Sequence, residues 1–235
     1  MADKVIVSIF VNPLQFDDKD DLANYPRPFD ADLQICRKQG IDAVFAPTIE
    51  EVHPTTSNTS ISSGQLGDLY EGEHRRGHFD GVLTVVDRLF EIVTPHVSIF
   101  GQKDFQQLVL IRQMCAERHP STRIASAPTV RDEDGLAISS RNTRLTPADR
   151  KLATKLFESL CAIESCFQAG VTNPRQLELT GRSTLNKFPD ISVDYLVCVN
   201  IANLAAIEVV DSPAIVLLAA TIGSVRLIDN IELTP

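Results

Sequence analysis

The sequence predicts an α/β protein, a doubly wound parallel sheet in residues 1–129 followed by a smaller α+β domain in residues 130–235. Two observations predict it. Through Ala127, short β-branched apolar runs alternate with segments whose apolar residues recur at helical spacing, the pattern of βαβ units. After Pro128 the alternation stops, and a polar glycine-containing segment, a long capped helix and several strand-like runs follow.

Taken in order, Lys4 to Val11 reads as a buried parallel strand because it is short, apolar and β-branched, and it stops at Asn12-Pro13. Phe29, Leu33 and Cys36 share one helical face between Phe29 and Gln39, with Asp30 and Asp32 in the first turn and Gly40 as a C-terminal stop. Ile41 to Ala46 is the next strand. Pro54 to Gly67, rich in Ser and Thr and without periodicity, reads as a surface loop with room for a strand of its own. Val82, Val86, Leu89, Phe90 and Val93 restore helical spacing between Phe79 and Val93. A strand from Val97 to Phe100, a helix from Lys103 to Arg118 and a strand from Arg123 to Ala127 complete the first domain. In the second, Thr146 is placed to cap a long helix that starts on Pro147 and ends before Gly170. A helix from Pro174 to Lys187 and the runs Ser192 to Asn200, Ala214 to Thr221 and Val225 to Ile231 suit a small antiparallel sheet.

Composition narrows the function. A net charge of −9 repels polyanions, which speaks against nucleic acid or an anionic membrane as a general partner. No apolar run approaches the ~20 residues of a membrane span, and Met1-Ala-Asp-Lys lacks the regions of a signal peptide, so a cytoplasmic location is expected. The five cysteines, Cys36, Cys115, Cys161, Cys166 and Cys198, are scattered and form no metal-like spacing, which suits reduced thiols and predicts no structural metal. His53, His96 and His119 each adjoin a proline and read as structural. A Gly-x-Ser-x-Gly elbow, a Walker A loop and a His-Glu-x-x-His motif are all absent from the sequence.

Chemistry concentrates where a doubly wound fold binds its ligands, at the carboxyl ends of strands. Asn12-Pro13-Leu14-Gln15-Phe16 places two amides after the first strand, although an Asx-Pro turn accounts for the same residues. Gly101-Gln102-Lys103-Asp104 with Gln107 joins a glycine that admits a ligand, a helix start rich in N–H donors, and a lysine set against the helix dipole, a combination that suits an anion. An ordinary helix start is the other reading. Gly135 to Asn142 offers Ser139, Ser140 and Arg141 in flexible backbone, suited to phosphate oxygens or to a plain loop. Arg75-Arg76-Gly77-His78 is a basic spot in an acidic chain, able to hold an anion or to pair with Glu73 and Asp80.

Taken jointly, Ser8 to Phe16, Arg76 to Phe79, Gly101 to Asp104 with Gln106-Gln107, Pro128 to Arg131, Ile138 to Asn142 and Arg226 to Asn230 resemble, in identity and order, the pantoate–β-alanine ligases (pantothenate synthetases). The resemblance implies a nucleotidyltransferase-like Rossmann domain that binds nucleotide and pantoate, a C-terminal lid domain, a cytoplasmic homodimer, and an ATP-dependent reaction through pantoyl adenylate, with Mg²⁺ accompanying ATP. It implies that Gln15 and Gln107 hold pantoate, with Gln15 also near β-alanine, and that Asn12, Arg75 and His78 lie close by. It assigns ATP to Gly101, Gln102, Lys103, Asp104, Val130, Ile138, Ser139, Ser140 and Arg141, of which Lys103, Ser139, Ser140 and Arg141 would act on the phosphates during catalysis. Gln102 stands where the family commonly has glutamate, and Ile138 where it has leucine or methionine. The family's Pro-x-Met-Gly-x-Leu-His-x-Gly-His segment does not occur, and Lys4 to Val11 matches the family's second strand. The leading expectation is therefore an ATP-dependent pantoate–β-alanine ligase; the alternative is an N-terminally incomplete remnant that does not itself make pantothenate and at most binds pantoate or nucleotide weakly.

Overall fold

The computed structural model describes residues 2–16, 22–23, 25, 27–54 and 60–235. They form two compact units, Met1–His96 with Gln113–Thr122, and Val97–Arg112 with Arg123–Pro235.

In the first unit, β1 (Ile6–Ser8) and β2 (Ala43–Phe45) pair in parallel, Ile6 opposite Ala43 and Ser8 opposite Phe45. The crossover between them contains α1 (Phe29–Lys38), with acids in its first turn and Arg37 and Lys38 in its last, each end matched to the helix dipole. The parallel pairing is as expected, but the burial is not. Among the described residues β1 ladders only with β2, and Val5 and Ile6 stay 42% and 49% exposed. A strand paired along one edge keeps its other edge, and part of each face, open to solvent.

Two short helices escape periodicity because four residues span barely one turn. The first, α2 (Ile49–Val52), is fixed by a capping box in which Thr48 Oγ1 accepts from Glu51 N at 3.3 Å and Thr48 N donates to the Glu51 carboxylate at 2.7 Å. The second is α3 (Glu71–His74). Residues 55–59 of the polar loop lie outside the described residues. The part that follows carries no strand and is pinned to α4 (His78–Val93), with Ser63 N and Oγ donating to Asp80 at 2.7 and 2.6 Å and Ile61 N to Thr84 Oγ1 at 3.0 Å. Phe79, Val82, Val86 and Phe90 give α4 its buried stripe.

In the second unit, β3 (Val97–Gly101) and β4 (Arg123–Ala127) form the other parallel pair. The helix expected from Lys103 begins at Phe105 as α5 (Phe105–Arg118), and Gln102–Asp104 form a tighter 3-10 turn ahead of it, a common way for a helix start to wind in. From Gln113 onward, α5 belongs to the first unit.

The C-terminal part is as its sequence predicts. Thr146 Oγ1 accepts from Asp149 N at 3.2 Å, Pro147 opens α6 (Pro147–Gln168), and Gly170 takes the left-handed φ of 96° that a side chain resists. Asn173 caps α7 (Pro174–Leu185) in the same way. Behind them, β5 (Ile191–Asn200), β6 (Ala214–Ile222) and β7 (Val225–Leu233) form an antiparallel sheet in the order β5-β6-β7. Leu156, Leu160 and Ile163 of α6 and Leu177 and Leu185 of α7 pack with Leu196, Val216 and Leu218 into a continuous core. The five cysteines are free, and no helix among the described residues is long and apolar enough to cross a membrane.

Leu160 is fully buried in that core, so Leu160→Ala should cost about 2–5 kcal/mol in urea unfolding, as cavity-forming substitutions do. In the first unit, the buried Asp87 accepts from Arg118 Nε and Nη2 at 2.7 and 2.9 Å and from His119 Nε2 at 2.7 Å. Burial pushes its carboxyl up, but the hydrogen bonds and charges of Arg118 and His119 outweigh that and hold it below the ordinary value. A depressed folded-state value stabilises above the unfolded carboxyl's pKa of about 4 and is lost as pH falls below it. Acid titration of unfolding should show this loss, and Asp87→Asn should flatten it.

Candidate active site

The first unit brings together two clusters that are separate in sequence. At the end of β1 the chain enters a 3-10 turn, Pro13–Gln15, capped by Asn12. Asn12 is 2% exposed and its amide is used on both sides: Oδ1 accepts from Leu14 N at 3.2 Å, and Nδ2 donates to Gly81 O at 2.9 Å and reaches Gln15 Oε1 at 3.5 Å. A backbone N–H can only donate and a carbonyl only accept, so these partners fix the amide's orientation. His53 Nε2 lies 3.1 Å from the same Oδ1 and therefore carries the hydrogen. Burial and the nearby charge of Arg88 hold His53 below the ordinary imidazole value, which keeps that ring neutral.

The turn is also held from the other side. His78 Nδ1 lies 2.7 Å from Gln15 O, Arg75 Nη2 donates to the same carbonyl at 3.2 Å, and Arg75 Nη1 approaches His78 Nε2 at 3.0 Å. These contacts fit a single tautomer, with Nδ1 donating to the carbonyl and Nε2 accepting from the guanidinium. The buried Glu71 carboxylate lies 3.7 Å from Arg75. Close approach is built into the helix: a Cβ on Gly81 would stand 2.3 Å from Leu14 O, so only glycine lets α4 lie against the turn. The backbone of Gln15 is thus fixed, while its side chain remains half-buried.

The remaining candidates lie in the second unit. Gly101 ends β3, and Gln102, Lys103 and Asp104 form the 3-10 turn, with Lys103 Nζ 4.0 Å from Asp104 Oδ2. Gln107, in the first turn of α5, is half-buried, whereas its neighbour Gln106 is 5% exposed. Val130 and Ile138 face each other across a hairpin, with Ile138 N donating to Val130 O at 2.9 Å and Arg131 bridged to Ala137. Both side chains are largely solvent-facing, 67% and 52% exposed. Ser139 caps a second 3-10 turn, Ser140–Arg144, by accepting from Arg141 N at 3.2 Å. Asn142 ties this turn to the hairpin through Ala137 O at 3.0 Å.

Sequence reasoning did not find the partners of these residues. His53 reads as structural from its neighbouring proline, and the contact through which it acts, on Asn12, lies 41 residues away. Arg131, Asp229 and Asn230 belong only to the pattern of resemblance, yet they bind the hairpin and the lysine turn: Arg131 pairs with Asp229 at 2.6 and 2.9 Å, and Asn230 Nδ2 donates to Gln102 O and Lys103 O, each at 2.9 Å. The run Arg226 to Asn230 was the available signal.

Known proteins share both the sequence and the fold of this chain. The sequence profile of the family described as Pantoate-beta-alanine ligase matches residues 1–232. Pantothenate synthetase of Carboxydothermus hydrogenoformans is 44% identical over 230 residues, 97% of this chain and 81% of that protein. The enzyme of Alcanivorax borkumensis is 46% identical over 233 residues, 99% of this chain and 81% of that one. Among solved structures, pantothenate synthetase from Thermus thermophilus superposes with a TM-score of 0.95 at 38% identity, covering 99% of this chain and 84% of that one. Pantoate-beta-alanine ligase from Francisella tularensis, complexed with beta-gamma ATP and beta-alanine, gives 0.77 at 34% identity over 97% of this chain and 79% of that one. With a match over nearly its whole length, the chain belongs to the pantoate–β-alanine ligase family.

Proposed function

We propose that this protein condenses pantoate with β-alanine at the expense of ATP, with AMP and pyrophosphate as the other products. The family match over residues 1–232 carries the reading. In the first step a pantoate carboxylate oxygen attacks the α-phosphorus of ATP and pyrophosphate leaves. In the second, the β-alanine amine attacks the acyl carbon of pantoyl adenylate, AMP leaves with the electron pair of the broken acyl–oxygen bond, and the amine loses a proton. Both steps depend chiefly on positioning and on stabilising charge on phosphate oxygens.

Gln15 and Gln107 are assigned to pantoate's hydroxyl and carboxylate oxygens, Gln15 also to the β-alanine position. A site that hydrogen-bonds hydroxyls rejects analogues lacking them, because its own amides would be left unpaired. Asn12, Arg75 and His78 hold the Gln15 turn. Gly101, Gln102, Lys103 and Asp104 are assigned to ATP, Lys103 to its phosphates and Asp104 to its ribose, with Val130 at adenine. Ile138, Ser139, Ser140 and Arg141 are assigned to the segment over the phosphates, where two hydroxyls and a guanidinium suit their oxygens. Lys103, Ser139, Ser140 and Arg141 form the catalytic set. Mg²⁺ enters with the nucleotide, whose phosphate charge it offsets.

Residues 1–129 serve as the nucleotide and pantoate domain and residues 130–235 as the lid; the core of α6, α7 and the antiparallel sheet supports the lid. Action as a cytoplasmic homodimer completes the proposal.

Isothermal titration with pantoate and with ATP, together with release of pyrophosphate and pantothenate, tests the reaction; binding without turnover would leave a ligand-binding protein. Lys103→Ala should slow the pyrophosphate burst by at least ~100-fold, and an unchanged burst would remove Lys103 from the catalytic set. Gln107→Leu should weaken pantoate while leaving ATP affinity near normal. Equal loss of both ligands would make Gln107 a packing residue.

A further inference from the structure

Strand β7 carries two adjacent polar residues, Asp229 and Asn230, that are 4% and 6% exposed. Successive side chains on a strand point to opposite faces, so the pair addresses two different neighbours. On one face the Asp229 carboxylate takes Arg131 in a two-pronged contact, Nη1 to Oδ2 at 2.6 Å and Nη2 to Oδ1 at 2.9 Å. Arg131 also donates to Gly135 O at 3.1 Å and to Asn230 O at 3.3 Å, and its guanidinium stacks 4.0 Å above the Phe157 ring of α6. The hairpin bearing Val130 and Ile138 is thereby fixed on β7 through its own first residue after Val130. On the other face Asn230 spends both hydrogens of its amide nitrogen on the turn, one on Gln102 O and one on Lys103 O. Two residues along the same face, Glu232 accepts from Gln102 Nε2 at 2.8 Å.

We propose that Asp229 and Asn230 are positioning residues that set the Val130–Ile138 hairpin and the Lys103 turn in register, so that ATP meets both already in place. This rests on the reading that those two segments hold the nucleotide. The fork of Arg131 and the paired hydrogens of Asn230 each impose direction as well as attraction, because a planar donor set fits its acceptors in one orientation. Preorganised donors cost no rearrangement when charge develops on the phosphates, whereas a lysine on a loose turn must be ordered by the ligand itself. Both residues act through the hairpin and the turn. Their effect is on where Lys103 and Val130 stand.

Asn230→Asp retains shape and sets carboxylate oxygens against two carbonyl oxygens, while Asn230→Ala removes the donors without adding repulsion. Hydrogen exchange at the amides of 103–105 should quicken at least tenfold in both variants, with exchange in α7 unchanged. The Kd for Mg-ATP should rise at least tenfold and the Kd for pantoate stay within twofold. Arg131→Lys, which keeps the charge and loses the fork, should weaken ATP in the same way. Normal ATP affinity and normal exchange in both Asn230 variants would overturn the proposal, as would equal weakening of ATP and pantoate. Lys103→Ala separates it from the reading beneath: if that change weakens ATP and the Asn230 variants do not, only the positioning role fails. If Lys103→Ala leaves ATP binding unaltered, or the unsubstituted protein binds no ATP, both fall.

Discussion

A polar group taken out of water must find a partner, and in this protein that requirement decides how the candidate site is built. Asn12 sits at the point where β1 ends and the chain must turn, almost wholly buried. Its carbonyl oxygen and its amide nitrogen are both occupied, by Leu14 and His53 on one side and Gly81 and Gln15 on the other. Leaving either side unmet would cost about 1–3 kcal/mol, so strand end, turn and helix α4 are committed to one arrangement. The exposed functional groups nearby inherit their positions from that commitment. In the second unit Asp229 and Asn230 show the same logic, since a buried carboxylate is tolerable only with a close cationic partner.

Both units separate the groups that hold from the groups that are held. In the first, Arg75 and His78 grip the Gln15 main chain through its carbonyl, while the side-chain oxygen of Gln15 takes only the long contact from Asn12. In the second, Asn230 grips the main chain of the lysine turn in the same manner. Fixing backbone instead of side chain allows a site residue to adapt its rotamer to a ligand while its origin stays put. A rigid support narrows the positions that a side chain can take before any ligand arrives.

Local patterns were legible in the sequence and long-range partnerships were not. The Thr146 cap, Pro147, Gly170 and the three C-terminal strands follow from residues that act within a few positions of themselves. So does the parallel pairing of β1 with β2 and of β3 with β4, which the alternation of strand and helix demands. The 3-10 turn at Gln102–Asp104 has two of its carbonyls held by Asn230, which is 128 residues away from Gln102 in sequence. Arg131 meets Asp229 across 98 residues, and Asn12 meets His53 across 41, separations at which no period or spacing carries information. The candidate residues were recognisable as motifs, while the reasons for their placement were spread along the chain. Lys4 to Val11 reads as buried while β1 is partly exposed for a related reason: an apolar run signals what a strand is suited to, and its exposure is set by its neighbours.

Two of the three buried thiols give the molecule a pair of internal reporters. Cys115 lies in the first unit and Cys198 in the second, 2% and 3% exposed, and burial pushes both thiols up, that of Cys198 to about 12. A thiol that is both shielded and protonated is inert to alkylating reagents until the surrounding structure opens. Each cysteine therefore converts a transient opening into a permanent covalent mark, and the rates of marking at the two positions read the breathing of the two units separately, without any label having been introduced.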